Sequence, residues 1–267
     1  MKEEKRKGAR SIKDIPAVIL EQLNKGEIET ANLVEWLAVN QAMLLENVLK
    51  ESDRMEYLEP ILTDIRNLKK QTVNTINEAI GTGLLTESIL NKDTDILSII
   101  SGHKSDLVRS WSAYTIGKKD TLTIEEILEQ IQFLSADKHF GVREISWLAI
   151  RSSIIKNLEK SLEILLSWTS SEDENIRRFA TESIRPRGVW CEHIGQLKKE
   201  PELGLKILNA LKSDPSKYVQ DSVGNWLNDA SKTRPDFVKD LCEKWKKESP
   251  RKETLYIIKK ALRTIEK

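Results

Sequence analysis

The chain has 267 residues, 39% hydrophobic and 32% charged, with 43 Lys and Arg against 42 Asp and Glu. That length can bury a large core, and the mixture is one that soluble helical proteins use. Only 11 Gly and 7 Pro are present, too few to punctuate many short strands and hairpins, so helices are the natural inference.

No run of about 18 apolar residues occurs, and Met1-Lys-Glu-Glu-Lys-Arg-Lys leads into polar sequence rather than an apolar signal core. The expectation is a cytoplasmic protein of bacterial type, with no membrane partner. Cys191 and Cys242 have neither metal-ligand spacing nor disulfide-scaffold density, so two buried or half-buried thiols in a reducing compartment are expected. Charge is uneven along the chain. From Arg185 to Lys267 there are 19 basic against 12 acidic residues, and upstream 24 against 30. The C-terminal third is the better place for an anionic partner.

Taken in order, residues 1–14 read as a flexible basic lead-in, and 15–100 as an N-terminal helical bundle. Within it, Ile15 to Leu23 is predicted helical, with a break at Asn24-Lys-Gly26. A second helix runs from Thr30 to Lys50, with Thr30 or Asn32 as its cap. Tyr57 to Ile80 reads as a long amphipathic helix or helix pair, with the chain reversing at Gly81-Thr-Gly83.

Residues 101–267 repeat themselves. A β-branched residue followed by a polar one, with small or aromatic residues on the same face, recurs at Val108-Arg109, Val142-Arg143, Ile176-Arg177 and Val219-Gln220, at intervals of 34, 34 and 43 residues. Polar turns precede three of these units, at Lys104-Ser-Asp106, Ser171-Glu-Asp-Glu174 and Ser213-Asp-Pro-Ser216. This is the pattern of an all-α fold: HEAT-like helical-hairpin repeats forming a curved α-solenoid. The arginines of the motif have two readings, contact with a ligand on the inner lining or a link from one repeat to the next.

Three strings stand out. They are Asp137-Lys-His-Phe-Gly-Val-Arg-Glu144 with Trp147 and Arg151; Asn175-Ile-Arg-Arg-Phe-Ala-Thr-Glu-Ser-Ile-Arg-Pro-Arg-Gly-Val-Trp190; and Tyr218-Val-Gln-Asp-Ser-Val-Gly-Asn-Trp-Leu-Asn-Asp-Ala-Ser-Lys232, with Leu255 to Thr264 after them. From about Leu134 onward the sequence resembles the AlkC and AlkD group of DNA alkylation repair proteins, more on the AlkC side. The resemblance implies a HEAT-like solenoid cradling duplex DNA, with members that act as monofunctional glycosylases on purines alkylated at N3 or N7. It also covers relatives that bind branched DNA without detected glycosylase activity. The chain ends at Lys267 just after the last repeat-like helix, and no additional C-terminal β-domain such as some AlkC-type enzymes carry is expected, so their way of engaging a lesion is not carried over.

An alkylated purine is already cationic and leaves without much protonation. The protein need only stabilise positive charge building on the sugar and place a water, which a carboxylate can do, while an indole face can hold the cation. Glu144 is the first choice for that carboxylate, since it is three residues from Trp147 and thus on a neighbouring helical face. Its structural alternative is a pair with an arginine. Asp137 is the second choice, with a turn or cap role as its alternative. Trp147 and Trp190 are the aromatic candidates, against the commoner fate of a buried tryptophan.

Arg109, Arg143, Arg177, Arg178, Arg185, Arg187 and Lys232 are the candidate DNA contacts. Phosphate contacts of this kind set register without reading sequence. Asp221, Asn225, Asn228 and Asp229 form a polar ladder, read chiefly as fixing repeat geometry. His103, His139 and His193 are isolated from the cysteines and from each other, no phosphate loop or nucleophile motif is present, and neither metal nor cofactor is expected. The reading is a monomeric alkylpurine DNA glycosylase. A non-catalytic binder of branched or damaged DNA and a HEAT-type protein-interaction scaffold are the alternatives.

Overall fold

The computed structural model describes residues 6–266, and all regular structure among them is helical. Of the lead-in expected over residues 1–14, residues 1–5 lie outside the described residues. Arg6 donates to both carboxylate oxygens of buried Glu35 at 2.6 Å, and Ile12–Asp14 form a 3-10 turn. No helix among the described residues is long and apolar enough to cross a membrane.

The chain divides into two compact units, Met1–Thr121 with Lys138–Ala149, and Leu122–Asp137 with Ile150–Lys267. The first holds α1 (Ala17–Asn24), α2 (Leu33–Ala38), α3 (Gln41–Glu51), α4 (Leu58–Arg66), α5 (Val73–Leu90), α6 (Asp95–Ser101) and α7 (Asp106–Gly117). The chain then passes to the second unit with α8 (Ile124–Ser135) and returns with α9 (Phe140–Ala149). Within the first unit α7 packs between α5 and α9, with α6 against it.

Two expectations for this unit need correction. The single helix from Thr30 to Lys50 is two helices, because Asn40 leaves helical geometry and its side chain accepts the N–H groups of Ala42 and Met43, starting α3 afresh. Asn32, not Thr30, caps α2, accepting from Glu35 N–H at 3.1 Å. The second correction concerns Gly81-Thr-Gly83, where no reversal occurs. α5 runs through it to Leu90. A Cβ at Gly81 would lie 2.6 Å from the Trp111 carbonyl oxygen, and one at Gly83 would lie 2.6 Å from Ile61 Cγ1. These glycines let α5 approach α7 and α4 closely, and that packing outweighs their cost to the helix.

Thr30 instead belongs to a buried polar cluster that fixes the starts of α7 and α9. Asp106 accepts from the Thr30 N–H at 2.9 Å and from its hydroxyl at 2.8 Å, and lies 3.2 Å from His139 Nδ1. His139 Nε2 is 2.8 Å from the Thr30 carbonyl. Burial pushes the Asp106 carboxyl up, against the pull of His139 and the Thr30 bonds.

Asp93 closes the turn after α5. It accepts from Arg54 Nε at 2.6 Å and from the Tyr57 hydroxyl at 3.1 Å, and the Arg54 bond holds its pKa down at about 2, against an ordinary 3.8. A depressed carboxyl stabilises the fold fully above the unfolded value and loses that contribution as pH falls through the folded one. In urea titrations Asp93→Asn is therefore expected to be less stable than wild type at pH 6, the gap narrowing below about pH 4 and closing near pH 2. An equal gap at both ends of the range would show that charge plays no part.

The second unit adds α10 (Arg151–Lys156), α11 (Leu158–Trp168), α12 (Glu174–Glu182), α13 (Gly195–Lys199), α14 (Leu205–Ala210), α15 (Lys217–Ser231), α16 (Pro235–Glu248) and α17 (Lys252–Leu262). Here α12, α15 and α17 pack in series, with α16 against α15 and α17. Trp226 donates to the Ile184 carbonyl at 2.9 Å and Trp245 to Asn209 at 2.8 Å, so both indoles are fully buried with their N–H groups satisfied. The polar ladder on α15 ties it outward. Asp221 accepts from Tyr256 at 2.7 Å and Lys260 at 2.6 Å, and Asn228 donates to the Ala261 carbonyl at 3.2 Å. Cys242 is a buried thiol whose pKa burial pushes up to about 12.

The helical-repeat reading holds in both units. Val108-Arg109, Val142-Arg143, Ile176-Arg177 and Val219-Gln220 are each the third and fourth residues of their helix, α7, α9, α12 and α15. Of the four β-branched residues, Val108, Val142 and Val219 are fully buried and Ile176 is half-buried.

Candidate nucleic-acid interface

The fourth position of these helices has a structural task. Arg109 Nη1 donates to the carbonyls of His103 and Lys104 at 2.8 and 3.0 Å. Arg177 Nη1 donates to those of Ser171 and Glu172, both at 2.9 Å. Gln220 Nε2 reaches those of Asp214 and Pro215 at 2.8 and 3.4 Å. In every case the acceptors are six and five residues earlier, so the side chain closes the turn that feeds its own helix. The two arginines also reach a carboxylate, Arg109 with Glu29 at 2.6 Å and Arg177 with Asp214 at 2.7 Å. Arg109 is buried and Arg177 half-buried.

In the first unit, Glu144 and Trp147 are brought together as their spacing suggested. The indole N–H donates to Glu144 Oε2 at 3.0 Å, and the ring is buried while the carboxylate is half-buried. Arg143 is half-buried on the same helix, and its backbone N–H donates to the His139 carbonyl at 3.3 Å. A Cβ at Gly141 would lie 2.9 Å from Trp36 Nε1, so the first turn of α9 rests against α2.

In the second unit, Asp137 is a half-buried turn residue after α8, its N–H donating to the Leu134 carbonyl at 3.2 Å. The remaining cations converge on two buried carboxylates. Glu182 Oε1 accepts from Arg185 at 2.8 Å, and Oε2 accepts from the Ser222 hydroxyl at 2.7 Å and lies 3.5 Å from Arg178. Arg178 also sits over the Tyr218 ring, 4.6 Å from its centroid. Asp229 receives Arg185 at 2.7 Å and Lys232 at 3.1 Å. Burial works against the Glu182 charge, but Arg178, Arg185 and the two hydrogen bonds outweigh it and hold the carboxyl below its ordinary range.

Two residues of this network were not singled out from sequence. Glu182 lies four residues after Arg178 and three before Arg185, a spacing that pairs it with Arg178 on one face of α12 and reaches Arg185 just beyond the end of the helix. Arg151, quoted only as part of a string, is buried and donates to three main-chain carbonyls: Ser183 at 2.7 Å, Arg185 at 2.6 Å and Glu192 at 3.0 Å. No sequence signal marks that task. It holds the segment from 183 to 192, whose ends are further closed by Ile194 N–H to the Pro186 carbonyl at 3.2 Å.

That segment carries Arg187 and Trp190. Six of the seven tryptophans are buried, whereas Trp190 is 82% exposed, with Val189 exposed beside it. Trp190 also has φ +59°, a left-handed conformation that is strained for a bulky residue. Arg187 is half-buried, and its Nε is shut off from water with no hydrogen-bond partner. Arg151→Met, close in length but without donors, is expected to leave three acceptors wanting and lower unfolding free energy by about 3 kcal/mol. Limited trypsin digestion should then cut after Arg187 far sooner than in wild type; unchanged protection there would show that Arg151 does not hold the segment.

Among the described residues no cluster of three or more His, Cys, Asp or Glu could hold a metal ion.

Residues 145–264 match the family model described as DNA alkylation repair enzyme. That stretch, just under half of the chain, is similar to the DNA alkylation repair family. The match takes in α10 to α17, with both buried carboxylates and the 183–192 segment. An uncharacterized protein of Bacillus subtilis (strain 168), YhaZ, is 37% identical over 137 residues, 51% of this chain and 37% of that protein. The chain thus spans little more than a third of that relative. Among solved structures, the alkylpurine DNA glycosylase AlkC of Pseudomonas fluorescens, bound to DNA containing an abasic site analog, superposes with a TM-score of 0.66 at 22% identity, over 97% of this chain and 66% of that one. AlkD2 from Streptococcus mutans superposes with a TM-score of 0.58 at 27% identity, over 78% of this chain and 96% of that one. The all-helical repeat fold is shared with both.

Proposed function

We propose that the chain binds duplex DNA and excises purines alkylated at N3 or N7, as a monofunctional glycosylase. The observation that carries this reading is the family match over residues 145–264, and the likeness of the fold to AlkC, a glycosylase solved on DNA with an abasic site analog, supports it. In this reading Glu144 is the carboxylate that stabilises positive charge on the sugar as the cationic base departs, and it orients the attacking water. Trp147 holds the Glu144 carboxylate through its indole N–H, so the tryptophan is a positioning residue rather than a stacking surface. Asp137 is the second carboxylate to test. Arg143 in the first unit and Arg187 in the second are the candidates for phosphate contact, and Arg177, Arg178, Arg185 and Lys232, each already beside a carboxylate, are the further basic groups of the second unit.

A second reading, DNA binding without chemistry, has one observation in its favour. The Glu144 oxygen nearest Trp147 already accepts a hydrogen bond inside the protein. The experiment that separates the two is incubation of purified protein with methylated duplex DNA, followed by quantification of free 3-methyladenine and 7-methylguanine. Release above a protein-free control is the expected result. No release, together with binding that weakens steeply with salt, would leave the DNA-binding reading alone standing.

A further inference from the structure

We propose that the segment from 185 to 194 is a stacking wedge: Trp190 lays its indole on a base face exposed where the stack of a DNA duplex is interrupted, and Arg187 takes the adjacent phosphate. The inference rests on the DNA-binding reading above and adds to it the kind of DNA that is preferred.

Three features support the wedge. The first is display. Trp190 holds a largely exposed indole at a strained φ of +59° when the other six tryptophans are buried, and backbone strain of this kind persists only where the surroundings enforce it. Here they do. Arg151 grips the carbonyls on either side, Ile194 closes the base of the loop, and a Cβ at Gly188 would collide with Cys191 Sγ, so the chain folds back tightly just before the tip. A preformed tip loses little freedom on binding.

The second is charge. Of the five candidate cations in this unit, Arg177, Arg178, Arg185 and Lys232 all meet carboxylates. Arg187 meets none, although its Nε is already withdrawn from water. A half-desolvated guanidinium three residues from an exposed indole fits an anionic group lying beside an apolar face, which is what a nucleotide presents. Beside it, three cations act on His193 and one carboxylate, Asp229, opposes them. His193 is held below its ordinary pKa by burial and then by Lys198, Arg187 and Arg151, so it stays neutral near pH 7. Glu192, the loop's one carboxylate, is exposed.

The third is what an indole can touch. In an intact duplex both faces of every base are covered by neighbours, and only edges are offered in the grooves. A base face becomes available at a gap, a missing base or a bulge, and every base has one, so the contact is indifferent to sequence.

The test uses the full chain and two fluorescently labelled duplexes of one sequence, one intact and one with a single-nucleotide gap flanked by 2-aminopurine. Wild type is expected to bind the gapped duplex roughly tenfold more tightly and to quench the 2-aminopurine on binding. Trp190→Ala should bring the two affinities within about twofold and abolish the quench, and Trp190→Phe should restore part of both. Because the side chain is exposed, the thermal midpoint of each variant should match wild type, which guards against a folding artefact. Arg187→Gln should weaken both complexes and reduce the slope of log affinity against log salt by about one. Equal affinity of wild type for both duplexes, or a preference and quench that survive Trp190→Ala, would overturn the wedge while leaving DNA binding intact. Binding to neither duplex would overturn both.

Discussion

Glu182→Ala is expected to cost the second unit about 3–5 kcal/mol in a urea titration, enough to consume a large part of the stability of an ordinary domain. The carboxylate is buried among Arg178, Arg185 and Ser222. Removing it takes a carboxylate away from Arg178 and leaves Arg185 with Asp229. The effect should separate into shape and charge. Glu182→Gln keeps the volume but only one accepting oxygen, so it can hold Arg185 or Ser222 and not both, and it is expected to fall between wild type and Ala. The acid dependence follows from the depressed carboxyl. Its contribution is complete above the unfolded value of 4.5 and is lost as pH falls through the lower folded value. The difference between wild type and Gln should therefore be largest at neutral pH and shrink below about pH 4. A Gln variant as stable as wild type at pH 7 would show that the arginines need only a hydrogen-bond acceptor.

The second large effect concerns chemistry. Glu144→Gln is expected to slow single-turnover release of 3-methyladenine by about 10²-fold or more, the usual contribution of a positioned carboxylate, while affinity for undamaged duplex changes by less than about twofold. Gln can still accept the indole N–H of Trp147, so the local packing survives and the loss reports charge. Asp137→Asn, measured alongside, decides between the two carboxylates: the one whose amide removes release is the one that faces the sugar. If both amides release base at the wild-type rate, the carboxylate mechanism is wrong, whichever residue was favoured.

The helices were legible because their signals are short-ranged. The Val-Arg motif marks the same two positions of α7, α9, α12 and α15, and the polar turns before three of them are where the helices begin. The glycines at 81 and 83 were misread for a physical reason. A missing side chain permits either a reversal or a close helix contact, and only the neighbours decide. Here those neighbours, Trp111 and Ile61, are distant in sequence. The cations show the same limit. Arg177 meets Asp214 and Arg185 meets Asp229, 37 and 44 residues away, so a sequence shows the charge but not its partner. By contrast, Glu182 was readable from its spacing to Arg178 and Arg185, and Trp190 from the Arg-Pro-Arg-Gly that precedes it.

The turn closures at Arg109, Arg177 and Gln220 bear on how such a chain can grow. A guanidinium and a neutral amide perform the same closure at the same offset, so two aligned donors are sufficient and charge is dispensable where, as at Gln220, no carboxylate is engaged. Each closure reaches back only six residues and lies inside the repeat it serves. A duplicated or deleted repeat therefore brings or removes its own closure, and gene-level changes of whole units can lengthen or shorten the array without redesign of the turns that remain.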